Sequence, residues 1–140
     1  MIQQISSQQP LRALVVDDDL DSVILMTTVL EIHGIDVTAT MSAAQALQAI
    51  SSLPHILIAD LAMPFVDGFD LIRQVRNLPP NQGGEVPAIA VSAWVAVETQ
   101  ERAMNCGFQK FLAKPYPPSD LIDLVSQVTG WKVSEPEFAA

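Results

Sequence analysis

Four stretches of the sequence carry side chains that could bind a metal ion or take part in a group transfer. Three consecutive aspartates, Asp17–Asp19, directly follow an apolar run, and Asp60 follows another. Ser92 and Lys114 stand at the ends of two further apolar runs. Carboxylates, a hydroxyl and an ammonium group can together bind a hard divalent cation and a phosphoryl group. The chemistry requires that the fold bring these four stretches together.

Clustered carboxylates would need positive charge beside them. Two like charges about 4 Å apart repel by ~4 kcal/mol at an effective dielectric constant of about 20. Lys114 can supply one positive charge, and a divalent cation can supply the rest. Oxygen ligands favour Mg²⁺, with Mn²⁺ as an alternative, and no His or Cys stands at these positions to favour zinc or copper. A carboxylate in such a site can act as a nucleophile and form an aspartyl phosphate.

The elements that must position these side chains alternate along the chain. The predicted strands are 11–16, 35–39, 55–60, 87–92 and 108–113, and the predicted helices are 20–33, 42–51, 67–76, 94–106 and 119–128. Continuous apolar strands that alternate with helices are typical of a parallel sheet covered on both faces. With right-handed crossovers, this pattern predicts a doubly wound α/β fold. Ligands of such folds bind at the carboxyl ends of the strands, where all four stretches would meet.

Local signals set the expected helix ends. The predicted N-caps are Asp19, Ser42, Asp67 and Ser119. Gly34 and Gly107 are expected to end two helices. The segment 77–86 contains Pro-Pro and Gly-Gly pairs, which favour a surface loop.

Composition narrows the possible functions. The chain has 140 residues, of which 49% are hydrophobic, and this fits a single domain with a full core. With 16 Asp and Glu against 7 Lys and Arg, the net charge is −9, and no basic stripe favours nucleic-acid binding. The apolar runs are too short for a membrane span, and Met1–Pro10 lacks the apolar core of a signal peptide. We therefore expect a cytoplasmic protein that binds neither nucleic acid nor membrane, with a flexible segment at 1–10, one domain at 11–130 and a tail at 131–140.

Five motifs give the chain a resemblance to the receiver domains of bacterial two-component response regulators. They are VVDDD at 15–19, IADLAMP at 58–64, DG at 67–68, VSA at 91–93 and AKP at 113–115. They occur in the order of that family, and the resemblance covers roughly 11–129. It implies a flavodoxin-like three-layer α/β/α sandwich with five helices and a five-stranded parallel sheet in the order 2-1-3-4-5.

The resemblance also implies a function for the acidic site. Asp60 would accept a phosphoryl group from a histidine kinase or a histidine phosphotransfer protein. The chain would catalyse its own phosphorylation and dephosphorylation, without turnover of a separate substrate. The implied magnesium ligands are the carboxylates of Asp17, Asp18 and Asp60 and the backbone carbonyl of Ala62.

Further roles follow from the same resemblance. Ser92 and Lys114 would bind the phosphoryl group, and Phe111 would be the switch aromatic. Phe111 stands where the family commonly has Tyr, so its outward state would lack a hydroxyl hydrogen bond. The Lys114–Pro115 bond would be cis, and Ala62 and Trp94 would flank the path of the attacking water.

Three alternative functions are open. Phosphatases and phosphotransferases that use an aspartyl phosphate usually carry a second acid two residues after the nucleophile, where this chain has Ala62. A pseudo-receiver would keep the fold as an interaction module that is not regulated by phosphorylation. A flavin-binding protein would need a hydroxyl-rich or glycine-rich phosphate loop after the first strand, where this chain is acidic.

An output surface is expected at the start of the fourth predicted helix. Four successive apolar residues, Trp94–Val97, cannot all face the sheet on a helical period. At least one of Trp94 and Val97 should therefore be exposed. We expect this surface to contact a downstream partner protein or a second copy of the chain in a homodimer.

Overall fold

Five strands alternate with five helices in residues 9–132, the part of the chain that the computed structural model describes. The strands are β1 Arg12–Val16, β2 Asp36–Thr40, β3 Ile56–Asp60, β4 Ala88–Ser92 and β5 Lys110–Ala113. The helices are α1 Leu20–Ile32, α2 Ala43–Ala49, α3 Gly68–Arg76, α4 Val97–Cys106 and α5 Pro118–Thr129. Short 3₁₀ turns at Ile50–Ser52 and Pro80–Gln82 complete the pattern.

The five strands form one parallel sheet in the order β2-β1-β3-β4-β5. This confirms the expected fold class and strand order. The three inner strands are offset by one residue from one to the next, so that Leu14 of β1 lies beside Leu57 of β3, which lies beside Ala88, the first residue of β4. Strands β3 and β4 are buried along their whole length. Burial on both faces explains why their sequences are apolar without alternation.

Helices cover both faces of the sheet, and successive strand residues pack on opposite sides. Leu14 and Val16 belong to a core cluster that they share with residues of α2, α3 and α4. Ala13 and Val15 belong to a second cluster, which they share with residues of α1 and α5. These two apolar layers fix the sheet between the helices and so hold the carboxyl ends of the strands at one edge.

Two predicted helix starts are wrong. The fourth helix begins at Val97 rather than Trp94, because the backbone of Ala96 is extended (φ −59°, ψ 147°) and the Trp94 N–H is bonded to the Ser92 hydroxyl. Ser119 does not cap the last helix, which begins one residue earlier at Pro118. Proline fits the first helical position because the backbone N–H that it lacks has no partner there. The N-cap hydrogen bonds expected of Asp19, Ser42 and Asp67 are present.

Both predicted terminal segments, 1–10 and 131–140, lie mostly outside the described residues. Trp131 is described and is half-buried against the second core cluster, with its ring 4.8 Å from that of His55. Among residues 9–132, no helix combines the length and the apolar composition needed to cross a bilayer.

Candidate functional site

The candidate site lies at the carboxyl edge of the sheet, where four of the strands end. Asp17 directly follows β1, and Asp60 is the last residue of β3. Ser92 is the last residue of β4, and Lys114 directly follows β5. Parallel strands in register therefore bring these groups to one edge, as the sequence predicts.

Three carboxylates converge there. One oxygen from each of Asp17, Asp18 and Asp60 lies within 4.8 Å of the other two. Asp17 is 1% exposed and Asp60 is 7% exposed, whereas Asp18 faces solvent. The arrangement places two buried negative charges beside a third that remains open to the surface.

The ammonium group of Lys114 lies among the acidic side chains. Its Nζ donates to Asp17 Oδ2 at 2.7 Å and lies 3.8 Å from Asp60 Oδ1. Nζ also lies 3.3 Å from Ser22 Oγ, on the first turn of α1. Ser22 is not among the site residues predicted from the sequence, and the one signal for it there is a hydroxyl three residues after the Asp19 cap.

The pKa of Asp60 is raised from 3.8 to about 6. Burial is the largest cause, and the negative charge of Asp17 adds to it. Lys114 and a long hydrogen bond from the Ala62 N–H, at 3.4 Å, oppose the rise without cancelling it. One lysine therefore leaves the carboxylates short of positive charge.

The donor set fits a magnesium ion. It contains only carboxylate oxygens, and no His or Cys belongs to this cluster of described residues. Mg²⁺ binds through one or two carboxylates and keeps several waters, which suits a cluster that is open on the Asp18 side. The backbone of Ala62 borders the cluster, since its N–H points to Asp60 Oδ1.

Ser92 is fully buried at the end of β4, and its Oγ accepts the Trp94 N–H at 2.9 Å. The hydroxyl thus links the acidic edge to the loop before α4. In that loop Trp94 is 57% exposed, and Val97 at the start of the helix is 65% exposed. The prediction that at least one of these two side chains is exposed is therefore confirmed, and both are exposed, although Trp94 lies outside the helix. Phe111 is half-buried and packs against the first core cluster.

Two backbone features border the site. A Cβ on Gly68 would lie 2.5 Å from the Asp60 carbonyl oxygen, so only glycine fits where α3 approaches the end of β3. This contact gives the Asp67–Gly68 motif a structural reason, with Asp67 as the helix cap. The Lys114–Pro115 peptide bond is cis, as the resemblance implies.

Comparisons with known proteins agree with this architecture. The family model described as the response regulator receiver domain matches residues 13–126. A protein of Leptolyngbya boryana, described as an uncharacterized 14.6 kDa protein in the sodA1 3' region, is 44% identical over 115 residues, which are 81% of this chain and 86% of that protein. Response regulator SaeR of Staphylococcus epidermidis is 30% identical over 109 residues, which are 78% of this chain but 46% of SaeR, so the chain spans about half the length of that relative.

Solved structures show the same fold. A putative response regulator from Chloroflexus aurantiacus superimposes with a TM-score of 0.82 at 30% identity, over 88% of this chain and 100% of that one. The receiver domain of the sensor histidine kinase PA1611 from Pseudomonas aeruginosa has a magnesium ion coordinated in its active site cleft. It superimposes with a TM-score of 0.79 at 23% identity, over 88% of this chain and 100% of that one, and this likeness concerns the fold alone.

Proposed function

Because the chain belongs to the family of response regulator receiver domains, we propose that it accepts a phosphoryl group on Asp60 in a magnesium-dependent reaction. The observation that carries the proposal is the convergence of three carboxylates within 4.8 Å, with the Lys114 ammonium among them. Buried charges of the same sign repel each other and do not contribute to core packing. Such arrangements are typical of functional sites.

In the proposed step, the Asp60 carboxylate attacks the phosphorus atom of the donor. A bond forms between an Asp60 oxygen and phosphorus, and the bond between phosphorus and the donor's imidazole nitrogen breaks. The electron pair of that bond stays on the imidazole, which leaves carrying one proton. A magnesium ion held by Asp17, Asp18, Asp60 and the Ala62 carbonyl would neutralise charge on the phosphoryl oxygens.

The protein's own groups complete the site. Lys114, 3.8 Å from Asp60, would pair with a phosphoryl oxygen once Asp60 is modified. Ser92 would donate its hydroxyl proton to another oxygen, which would alter its bond with the Trp94 N–H. Phe111 lies beside Ala90 of β4 in the sheet register and would respond to that movement as the switch aromatic.

The proposed phosphodonor is a histidine kinase or a histidine phosphotransfer protein, and the proposed output is a changed contact at Trp94 and Val97 with a partner protein or a second copy. We assign the receiver domain to 11–130. Access of water past Ala62 and Trp94 would set the lifetime of the phosphoryl group. The cytoplasmic location and the lack of nucleic-acid and membrane binding stay predictions.

The function is tested by labelling with ³²P-acetyl phosphate and MgCl₂. Wild type should gain one phosphoryl group that alkali and hydroxylamine release, as expected of an acyl phosphate, and acetate should leave with the electron pair of the broken P–O bond. Asp60→Asn should remain unlabelled, whereas Asp70→Asn, which changes an exposed acid of α3, should label like wild type. Label on another residue in Asp60→Asn would contradict the assignment. A folded wild type that takes no label would favour the pseudo-receiver function.

A further inference from the structure

Ser22 contacts the lysine of the site from outside the acidic cluster. Its Oγ lies 3.3 Å from Lys114 Nζ and donates to Asp19 Oδ2 at 2.9 Å. The same Asp19 oxygen accepts the Ser22 backbone N–H at 3.0 Å, which fixes the serine on the first turn of α1. Because the hydroxyl proton is directed to Asp19, a lone pair of Oγ is free to face the ammonium group.

Packing alone does not hold the lysine in place. A cavity of about 350 Å³ lies beside its side chain, lined by Ser22, Leu25, Ala93, Lys114, Pro115 and Tyr116. The Lys114 side chain is 21% exposed. With open space on this side, the hydrogen bonds of Nζ help to fix its position.

The shorter of the two Lys114 hydrogen bonds, the one to Asp17, is the one that a bound cation would weaken. Lys114 Nζ lies 2.7 Å from Asp17 Oδ2, and Asp17 belongs to the carboxylate cluster that fits a cation. A cation on that carboxylate draws its electron density and repels the ammonium group. Ser22 is neutral and lies outside the cluster, so its bond to Lys114 does not compete with the cation.

We propose that Ser22 is a positioning residue for Lys114. The Asp19 carboxylate orients the Ser22 hydroxyl, and that hydroxyl holds the lysine near Asp60 when Asp17 is engaged elsewhere. The proposal rests on the proposed function, because it assigns Lys114 to the incoming phosphoryl group. It predicts a contribution to phosphorylation from a residue that touches neither the acceptor nor the donor.

The test compares four variants in the full chain. Ser22→Ala and Ser22→Val remove the hydroxyl, whereas Ser22→Thr keeps it. Threonine and valine are both β-branched and have nearly the same shape, so these two variants form a matched pair. Ser51→Ala is the control, because the Ser51 hydroxyl donates within its own turn, to the Gln48 carbonyl. Loss of a hydrogen bond to a charged group should slow labelling of Asp60 by acetyl phosphate about tenfold in the alanine and valine variants. The threonine and Ser51→Ala variants should label close to the wild-type rate.

A second readout is independent of phosphorylation. The chain has 3 lysines, Lys110, Lys114 and Lys132, so their side-chain NMR resonances can be separated. Without magnesium, the Lys114 resonance should move in Ser22→Ala and Ser22→Val and stay in place in Ser22→Thr, with Lys110 and Lys132 unchanged. Wild-type labelling in the alanine and valine variants, or an unmoved Lys114 resonance, would overturn the proposal. If wild type itself takes no label, the proposed function fails, while the NMR comparison still decides whether Ser22 holds Lys114.

Discussion

Lys114 Nζ lies 2.7 Å from Asp17 Oδ2, a contact between residues 97 positions apart in the chain. The lysine is therefore bonded to a member of the carboxylate cluster and stands farther, at 3.8 Å, from the proposed acceptor Asp60. Asp17 is held from its other side by the Asp19 N–H, at 2.9 Å. A cation that binds the cluster would have to share Asp17 with the lysine, so metal binding and the position of Lys114 should be linked.

Magnesium should stabilise the folded chain. The folded state gathers three carboxylates that the unfolded chain disperses, so the ion binds the folded state preferentially. At a concentration about tenfold above the dissociation constant, the free energy of unfolding should rise by about 1.4 kcal/mol. Thermal unfolding with and without millimolar MgCl₂ measures this effect.

Asp18→Asn should weaken the magnesium effect, because it removes the solvent-facing carboxylate of the cluster. Asp21→Asn, on the first turn of α1, makes the same chemical change at an exposed position and should leave the effect intact. A melting temperature that does not respond to magnesium in wild type would argue against this site.

The stability of the magnesium-free protein should depend on the ionisation of Asp60. Its pKa is raised in the folded state to about 6, so the unfolded chain releases this proton at a lower pH. Between about pH 4 and pH 6 the folded state holds more protons, and Asp60 therefore lowers the stability as the pH rises through this window. At pH 7 the ionised, buried Asp60 is destabilising.

Asp60→Asn should consequently melt at a higher temperature than wild type at pH 7 without magnesium. The difference should shrink as the pH falls toward 4, where Asp60 is protonated in the folded protein. Asp21→Asn makes the same chemical change at an exposed position and should not gain stability at pH 7. Chemical or thermal unfolding across this range measures the effect, and a variant less stable than wild type at pH 7 would contradict it.

The sequence predicts the sheet and the position of the site well, because both depend on apolar strands that end in reactive residues. It fails where a single polar contact outweighs the periodicity. The Ser92 hydroxyl accepts a hydrogen bond from the Trp94 N–H, and the fourth helix therefore begins at Val97 rather than at Trp94. Ser22 looks like an ordinary solvated residue of a helix start, since its contact with Lys114 depends on a residue 92 positions away.

Phe65 should be a site where stability can be gained. Its backbone is left-handed (φ 68°) and its side chain is fully exposed in the loop between β3 and α3. A non-glycine residue with a left-handed backbone destabilises the folded state by about 1–2 kcal/mol. Glycine removes this strain, but it also loses more conformational entropy on folding, so only part of the strain energy is gained as stability. Phe65→Gly should thus raise the free energy of unfolding by up to about 1 kcal/mol.

Phe65→Ala is the matched control, since it removes the ring and keeps the strained backbone. It should have nearly the wild-type stability in urea unfolding. The explanation by strain is wrong if the alanine variant is as stable as the glycine variant. It is also wrong if Phe65→Gly is less stable than wild type.

The lifetime of the phosphoryl group should depend on Trp94. Its backbone is fixed by the Ser92 hydroxyl at the edge of the site, and its ring is 57% exposed. An indole held near the mouth of the site would obstruct the attacking water, so Trp94→Asn should lose the ³²P label severalfold faster. Trp94→Phe keeps an aromatic ring and should decay at a rate nearer to wild type. Equal decay of all three proteins would show that the ring does not shield the group.

Phosphorylation should change an association that uses the apolar surface at 93–97. Every residue of this segment is exposed, and Trp94, Val95 and Val97 form its large apolar side chains. The segment is joined to the site by the Ser92–Trp94 hydrogen bond, so a movement of Ser92 would displace it. A partner or second copy that contacts this surface would then bind the two states with different affinity.

The measurement is size-exclusion chromatography of the chain in the presence and absence of beryllofluoride and magnesium. Beryllofluoride should shift wild type to a different elution volume, and Val97→Glu should abolish the shift, because it places a charge in the apolar contact. Met104→Glu is the control, as it adds the same charge to an exposed apolar position of the same helix outside the 93–97 segment. A shift that persists in Val97→Glu, or that Met104→Glu abolishes equally, would place the output on another surface.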